Sequence, residues 1–174
     1  MEERVYLTAL GEDSHRFVSE SESKALVLAG LSFPEEVGFL ANSDGDIIFH
    51  ALCHALASLG ALDPVLGPPA DRLCREEGIT DSRVFLELQL SQLKDLDLDY
   101  RIHHVSISLE GKRPYLYSHL ARLRAAVAEV LKLRAEQVGI SATSGEALTA
   151  FGRGEGMSCR VLLSGSRLAY PEEK

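Results

Sequence analysis

Two short stretches of the sequence carry side chains of the kind that hold metal ions. Asp13 and His15 are two residues apart, and alternate residues of an extended chain point the same way, so both can bind one cation. His50 lies within an apolar helical repeat, where a buried imidazole needs a partner. Taken singly, these residues also fit a surface turn and a core histidine. Together, two imidazoles and one carboxylate match a catalytic zinc site with one open position.

A second polar stretch suits phosphate. The residues from Asn42 and Ser43 to Asp46 precede or open a helix, whose free backbone N–H groups attract anions. The same stretch also fits a plain N-cap, with Ser43 or Asp44 as the capping residue and Gly45 in the turn. The sequence therefore predicts either a phosphate contact or a cap.

A third group lies near the C-terminus. Thr143 and Ser144 offer hydroxyl groups, Glu146 offers the hard oxygen ligand that magnesium and manganese prefer, and Arg153 can bind a phosphate with two N–H groups. The glycines at positions 152, 154 and 156 fit a tight turn before a last strand equally well.

Alternating strands and helices are predicted to position these groups. Apolar residues between Ile47 and Leu59 recur at helical spacing, and shorter apolar or alternating runs indicate strands. We expect an α/β fold, a single domain over residues 1–174 in which helices pack on a mixed β-sheet. The predicted strands are 5–10, 25–31, 101–109, 138–142 and 157–163; the predicted helices are 44–59, about 80–96 and 115–131, with an irregular segment at 64–69.

Composition narrows the functional classes. The net charge of −8 and the absence of a basic, aromatic-rich stretch predict no binding to nucleic acid. No apolar run approaches the roughly 20 residues of a membrane span, and the N-terminus does not read as a signal peptide. Three cysteines without metal spacing indicate free thiols in a reducing compartment. We expect a cytoplasmic protein that does not bind membranes.

The order of the motifs resembles the 2-C-methyl-D-erythritol 2,4-cyclodiphosphate synthase family of the non-mevalonate isoprenoid pathway. The resemblance runs from about Gly11 to Leu163, and its most specific blocks are Ser-Asp-Gly-Asp before His50 and Gly-Arg-Gly-Glu-Gly. The matching blocks are Gly-x-Asp-x-His at 11–15, Ser-Asp-Gly-Asp at 43–46, Asp-Ser-Arg at 81–83, Ala-Thr and Glu at 142–146, and Gly-Arg-Gly-Glu-Gly at 152–156.

The resemblance implies a homotrimer with active sites between neighbouring subunits. It implies a phosphorus–oxygen lyase that converts 4-diphosphocytidyl-2-C-methyl-D-erythritol 2-phosphate to the 2,4-cyclodiphosphate and CMP. Zinc, or another divalent first-row metal, would be held by Asp13, His15 and His50, and Glu146 would hold magnesium or manganese with the substrate. Asn42 and Ser144 would act in catalysis. The implied substrate-binding residues are Asp13, Ser14, His15, Asn42, Ser43, Asp63, Thr143, Ser144, Gly145, Glu146 and Arg153.

Several positions depart from the family's pattern. Asn42 replaces a histidine, and an amide cannot become cationic. The segment 61–83 lacks the family's Gly-Asp-Ile-Gly and Phe-Pro-Asp motifs, so that Asp63 matches a polyol-binding aspartate only after a shift of one position. His54 replaces an aspartate and either reaches the metal or lies in the core.

Three functional hypotheses follow from these matches and departures. The first hypothesis is that the chain is a cyclodiphosphate synthase. The alternatives are a repurposed trimeric paralogue that binds metal and nucleotide, and a metal-dependent hydrolase of another phosphate ester. Of the two alternatives, the change at Asn42 and the altered segment favour the repurposed paralogue.

Overall fold

A computed structural model describes residues 3–19 and 21–170 and confirms the α/β prediction. Within these residues, three strands are followed by three α-helices, and then come a strand, a fourth α-helix and two further strands. The strands are β1 (Arg4–Arg16), β2 (Ala25–Leu28), β3 (Leu31–Val37), β4 (Arg101–Glu110), β5 (Val138–Thr143) and β6 (Gly156–Leu168). The helices are α1 (Ile47–Gly60), α2 (Pro68–Glu76), α3 (Ser82–Asp95) and α4 (Leu120–Leu131). In the described part of the chain, no helix has the length and apolar character needed to cross a membrane.

The main sheet has four strands in the order β1, β6, β4, β5. β1 pairs with β6 and β6 with β4 in antiparallel fashion, whereas β4 and β5 are parallel, so the sheet is mixed as predicted. The ladder between β1 and β6 runs from Arg4 opposite Leu168 to Arg16 opposite Gly156. Strands β2 and β3 form a separate antiparallel hairpin. The long ladder fixes the end of β1, where the candidate ligands lie.

Helix α1 packs directly against β1. Gly11 makes this possible, because a Cβ atom there would lie only 2.1 Å from the carbonyl oxygen of Ala51 and 2.4 Å from the backbone nitrogen of Ala55. Most of α1 is buried, including Ile47, which has no exposed surface. The short distance between strand and helix brings the first turn of α1 close to the C-terminal end of β1.

The end of β1 and the start of α1, which both lie near the candidate ligands, differ from the predicted boundaries. β1 extends to Arg16, so Asp13 and His15 lie on the strand and not after it. The predicted helix 44–59 begins at Ile47, because Asp46 is its N-cap and accepts hydrogen bonds from the backbone nitrogens of Ile48 and Phe49. The interpretation of Ser43 or Asp44 as the cap is therefore wrong.

Two further predictions change in the second half of the chain. The segment predicted as irregular contains the start of α2, because Pro68 and Pro69 occupy the first turn, where a missing N–H group costs nothing. The helix predicted at 115–131 divides into a 3₁₀ turn at Tyr117–His119 and α4.

Asp46 also joins α1 to the β2–β3 hairpin. Its fully buried carboxylate accepts a hydrogen bond from the backbone nitrogen of Gly30 at 2.6 Å, besides those of Ile48 and Phe49 at 3.0 and 3.1 Å. Burial raises the pKa of Asp46 to about 6, and the donated N–H groups oppose this shift.

We expect Asp46→Ala to lower the free energy of unfolding by about 2 kcal/mol or more, because three buried N–H groups lose their acceptor. The matched control is Asp81→Ala, which removes an exposed cap of α3 bonded to the nitrogen of Arg83 and should cost about 1 kcal/mol or less. Urea denaturation measures both losses. Equal losses would contradict the structural role of Asp46.

Candidate metal centre and substrate pocket

Asp13, His15 and His50 meet at one end of the sheet. Asp13 Oδ2 lies 2.9 Å from His50 Nδ1 and 3.3 Å from His15 Nε2, and the two histidine nitrogens lie 3.3 Å apart. The candidate ligand atoms of all three residues lie within 4.8 Å of one another. One carboxylate and two imidazoles converging in this way fit a divalent first-row metal, since zinc takes this mixture of nitrogen and oxygen ligands.

The surroundings keep Asp13 and His15 in the protonation states that bind metals. Burial lowers the pKa of His15 despite the opposing charge of Asp13, so the imidazole is neutral at neutral pH. Burial acts to raise the pKa of Asp13, but His50 at hydrogen-bond distance and the charges that both histidines carry in acid hold this pKa below its ordinary value. Asp13 is therefore ionised while His15 is neutral.

A cavity of about 410 Å³ opens beside the three candidate ligands. Asn42 and Ser43, both predicted to contact phosphate, line the same cavity, and so does His54. Residues at the start of α2 also line it. The remaining lining residues are Ala41, Leu66, Gly67, Ala70, Asp71, Cys74 and Phe85.

Sequence reasoning missed the contribution of α2. Asn42 Nδ2 donates a hydrogen bond to Asp71 Oδ1 at 2.8 Å, and Cys74 lies one turn further along the same wall. The two prolines that begin α2 were interpreted as helix breakers, although paired prolines followed by an acidic residue are also a helix-start signal.

His54 lies one turn after His50 and is partly buried in the cavity wall. Among the described residues, the cluster of converging ligand atoms contains Asp13, His15 and His50 but not His54. The arrangement therefore does not support the hypothesis that His54 completes the metal coordination.

The residues near the C-terminus lie elsewhere. Thr143 and Ser144 line a separate pocket of about 210 Å³, which shares no residue with the larger cavity. Lys112, Pro114 and Tyr115 form part of this second pocket. The described chain thus divides the predicted site residues between two pockets.

The other predicted residues occupy exposed positions. Glu146 follows in a short 3₁₀ turn, where its φ of 49° is left-handed and its Oε1 accepts a hydrogen bond from Ser144 Oγ at 3.2 Å. Gly145 also has a positive φ of 68°, and Arg153 pairs with Glu155 at 3.1 Å.

Like Gly145, Glu146 and Arg153, the predicted substrate-binding residues Ser14 and Asp63 lie outside both pockets. Ser14 lines another cavity, and Asp63 is exposed in the loop before α2. Asp71, and not Asp63, lines the cavity beside the candidate metal ligands.

The chain thus has an α/β fold with a mixed sheet and a candidate metal site, formed by carboxylate and imidazole groups that converge at a strand end. Residues 6–164 match the YgbB family, and the chain belongs to this family. It is 45% identical over 160 residues to the 2-C-methyl-D-erythritol 2,4-cyclodiphosphate synthase of Chlamydia felis (strain Fe/C-56), covering 92% of this chain and 89% of that one. It is 43% identical over 162 residues to the synthase of Chlamydia trachomatis serovar L2b, covering 93% and 89%.

Solved structures agree with this relationship. A 2C-methyl-D-erythritol-2,4-cyclodiphosphate synthase structure superimposes with a TM-score of 0.77 at 30% identity, covering 91% of this chain and 99% of that chain. A structure of the same description in its CDP-bound form gives the same values. The family and the fold therefore agree over nearly the whole chain.

We expect zinc affinity to be nearly constant around neutral pH and to fall as the solution becomes acidic, because protons then compete for the His15 imidazole. Burial lowers the pKa of His15, so the fall should begin at a lower pH than for exposed histidines. Competition with a coloured chelator between about pH 5 and 8 measures the profile. His54→Ala is the matched control and should leave it unchanged; a shifted profile in that variant would place His54 among the ligands.

Proposed function

We propose that this chain is a cyclodiphosphate synthase, a phosphorus–oxygen lyase of the non-mevalonate isoprenoid pathway. It would convert 4-diphosphocytidyl-2-C-methyl-D-erythritol 2-phosphate to 2-C-methyl-D-erythritol 2,4-cyclodiphosphate and CMP. The observation that carries the proposal is the convergence of Asp13, His15 and His50 within 4.8 Å in a chain 45% identical to a relative named for this reaction.

Two metal positions suit this reaction. Asp13, His15 and His50 would hold zinc or another first-row divalent ion, and the exposed carboxylate of Glu146 would hold magnesium or manganese. Bound there, the ions would neutralise the reacting phosphates and the departing CMP. An oxygen of the 2-phosphate would form a bond to the β-phosphorus while the bond from that phosphorus to the CMP oxygen breaks.

The chain's own residues would orient the phosphates. In an acidic chain, a phosphate needs donors close to where it binds. Asn42 and Ser43 line the cavity, and Lys24 holds their loop by donating hydrogen bonds to the carbonyl oxygens of Ala41 at 2.9 Å and Ser43 at 2.6 Å. Partial burial lowers the pKa of Lys24, and the charge of Asp44 opposes this shift. Lys24 thus brings an ammonium group to a loop whose Asn42 cannot carry charge.

A homotrimer would bring the two pockets to one substrate. On the face of β1 and β6 away from α1, Leu10 lies opposite Leu162, and they are 57% and 49% exposed. Apolar residues exposed together in this way suit an interface between copies of the chain. We place the pocket of Thr143 and Ser144, and Arg153 beyond it, beside the metal centre of a neighbour.

The smaller pocket would receive the cytidine part of the substrate. A solved relative at 30% identity is described as bound to CDP, which supports a cytidine nucleotide as ligand. Ser14, Asp63 and Gly145 remain predicted substrate contacts on the strength of the family resemblance. We also propose a cytoplasmic location, which suits the free thiols of Cys53, Cys74 and Cys159.

The first test is the reaction itself. We expect the purified protein, with the cytidyl substrate, zinc and magnesium, to release CMP and the cyclodiphosphate in equal amounts, because its candidate metal ligands converge beside a cavity of about 410 Å³. Phosphorus NMR and chromatography follow both products, and His50→Ala should release neither. CMP without the cyclic product would indicate a hydrolase. No CMP at any metal composition would favour the repurposed, binding-only paralogue.

The second test concerns Asn42. We expect Asn42→Ala to lower kcat/KM about tenfold, equivalent to about 1.4 kcal/mol, because one hydrogen bond to phosphate is lost. Asn42→Asp should lower it further, since it places a carboxylate at the position now 2.8 Å from Asp71 and repels phosphate. Steady-state kinetics compare the variants, with zinc content as the control. Equal activity of wild type and Asn42→Asp would remove Asn42 from phosphate binding.

A further inference from the structure

A chain of hydrogen bonds lies behind His50, on the side away from the other ligands. His50 Nε2 lies 2.9 Å from Ser82 Oγ, and Ser82 Oγ bonds in turn to the Asp44 carboxylate. The backbone nitrogen of Ser82 donates to the second oxygen of Asp44 at 3.1 Å. Ser82 and His50 are both buried, so water does not compete for these bonds.

We propose that Ser82 and Asp44 are positioning residues for the metal centre, which fix the tautomer and the ring orientation of His50. The inference rests on one part of the proposed function, which is that His50 binds a metal. It concerns which nitrogen of His50 is offered to the metal, and it does not depend on the phosphate chemistry that follows.

The direction of the hydrogen bonds follows from the chemistry of the three groups. An ionised carboxylate can only accept, so the Ser82 hydroxyl donates its single proton to Asp44. Ser82 Oγ can then only accept from His50, which places a proton on Nε2. In a neutral imidazole, Nδ1 is consequently unprotonated and has a lone pair available for a metal.

That lone pair points into the ligand cluster. His50 Nδ1 lies 2.9 Å from Asp13 Oδ2 and 3.3 Å from His15 Nε2. An unprotonated nitrogen and a carboxylate oxygen are both acceptors, and two acceptors at this distance repel each other unless a proton or a metal ion lies between them. The bonds to Ser82 and Asp44 therefore favour a bound metal over a direct hydrogen bond from His50 to Asp13.

Other contacts of these residues support the same arrangement. Asp44 Oδ1 also accepts from the backbone nitrogen of Asp46 at 3.1 Å, and the Asp44 nitrogen donates to the carbonyl of Thr80 at 2.8 Å, so the carboxylate is held on several sides. Ser43 Oγ lies 3.5 Å from His50 Nε2, too far to replace Ser82, and it accepts from Gly45 instead.

The decisive variant is Ser82→Ala, which removes the acceptor of the Nε2 proton. Asp13 Oδ2 then remains the acceptor near the ring, so a neutral His50 should carry its proton on Nδ1. Nitrogen-15 NMR of metal-free protein should show a proton on Nε2 of His50 in the wild type and the Nδ1–H tautomer in the variant. Loss of packing alone would not exchange the two tautomers.

Zinc affinity gives a second measurement that needs no substrate. We expect Ser82→Ala and Asp44→Asn to weaken zinc binding about 10- to 100-fold in chelator competition, the usual effect of removing a group that orients a ligand. Asp81→Ala is the control, because it removes the N-cap of α3, the helix that Ser82 begins, without changing a contact of His50. It should lower the melting temperature but leave zinc affinity unchanged.

Unchanged zinc affinity in Ser82→Ala and Asp44→Asn would overturn the inference, as would an Nδ1–H tautomer in the wild type. If the wild type itself bound no divalent first-row metal, the proposed function would lose its metal centre. The protonation of His50 in the wild type and in Ser82→Ala would still decide whether Ser82 and Asp44 position His50.

Discussion

The close packing of α1 on β1 at Gly11 sets the distance at which the metal ligands meet. A side chain at this position would overlap the backbone of Ala51, and the helix would have to move outward. His50 Nδ1, on α1, lies 2.9 Å from Asp13 Oδ2, on β1. If the helix moved outward by even about an ångström, these two atoms would lose their contact. The ladder between β1 and β6 prevents the strand from following the helix. Strand pairing and helix packing therefore hold the ligands before any metal binds.

The site also gathers negative charge in a chain whose net charge is already −8. Each buried or half-buried carboxylate has its own compensation. Asp46 accepts three backbone hydrogen bonds, Asp44 accepts from Ser82, and Asp13 faces two histidines. Lys24 adds a cation to the loop between them. Because these partners differ, the carboxylates have different roles: Asp46 caps a helix, Asp44 orients a histidine, and Asp13 is free to bind a metal.

Sequence reasoning found the candidate ligands because their signals are local. Asp13 and His15 follow the alternation of a strand, and His50 interrupts the apolar repeat of a helix. The groups that support them were missed because their partners are distant in sequence: His50 and Ser82 are 32 residues apart, and Asn42 and Asp71 are 29 apart. Hydrophobic periodicity carries no information about such pairs, and only the packed structure brings them together.

The departures from the family's pattern also meet at one place. Asn42 and the altered segment 61–83 are separate in sequence, but α2 brings Asp71 into contact with Asn42 across the cavity. A neutral amide there satisfies a carboxylate on one wall, and Lys24 supplies positive charge to the loop beneath it. The three ligands lie on β1 and α1, outside this altered segment. Of the two residues behind His50, Asp44 lies in the loop before α1, and only Ser82, at the start of α3, falls near the end of the altered segment. This separation favours an altered substrate wall beside an intact metal centre over a general loss of the site.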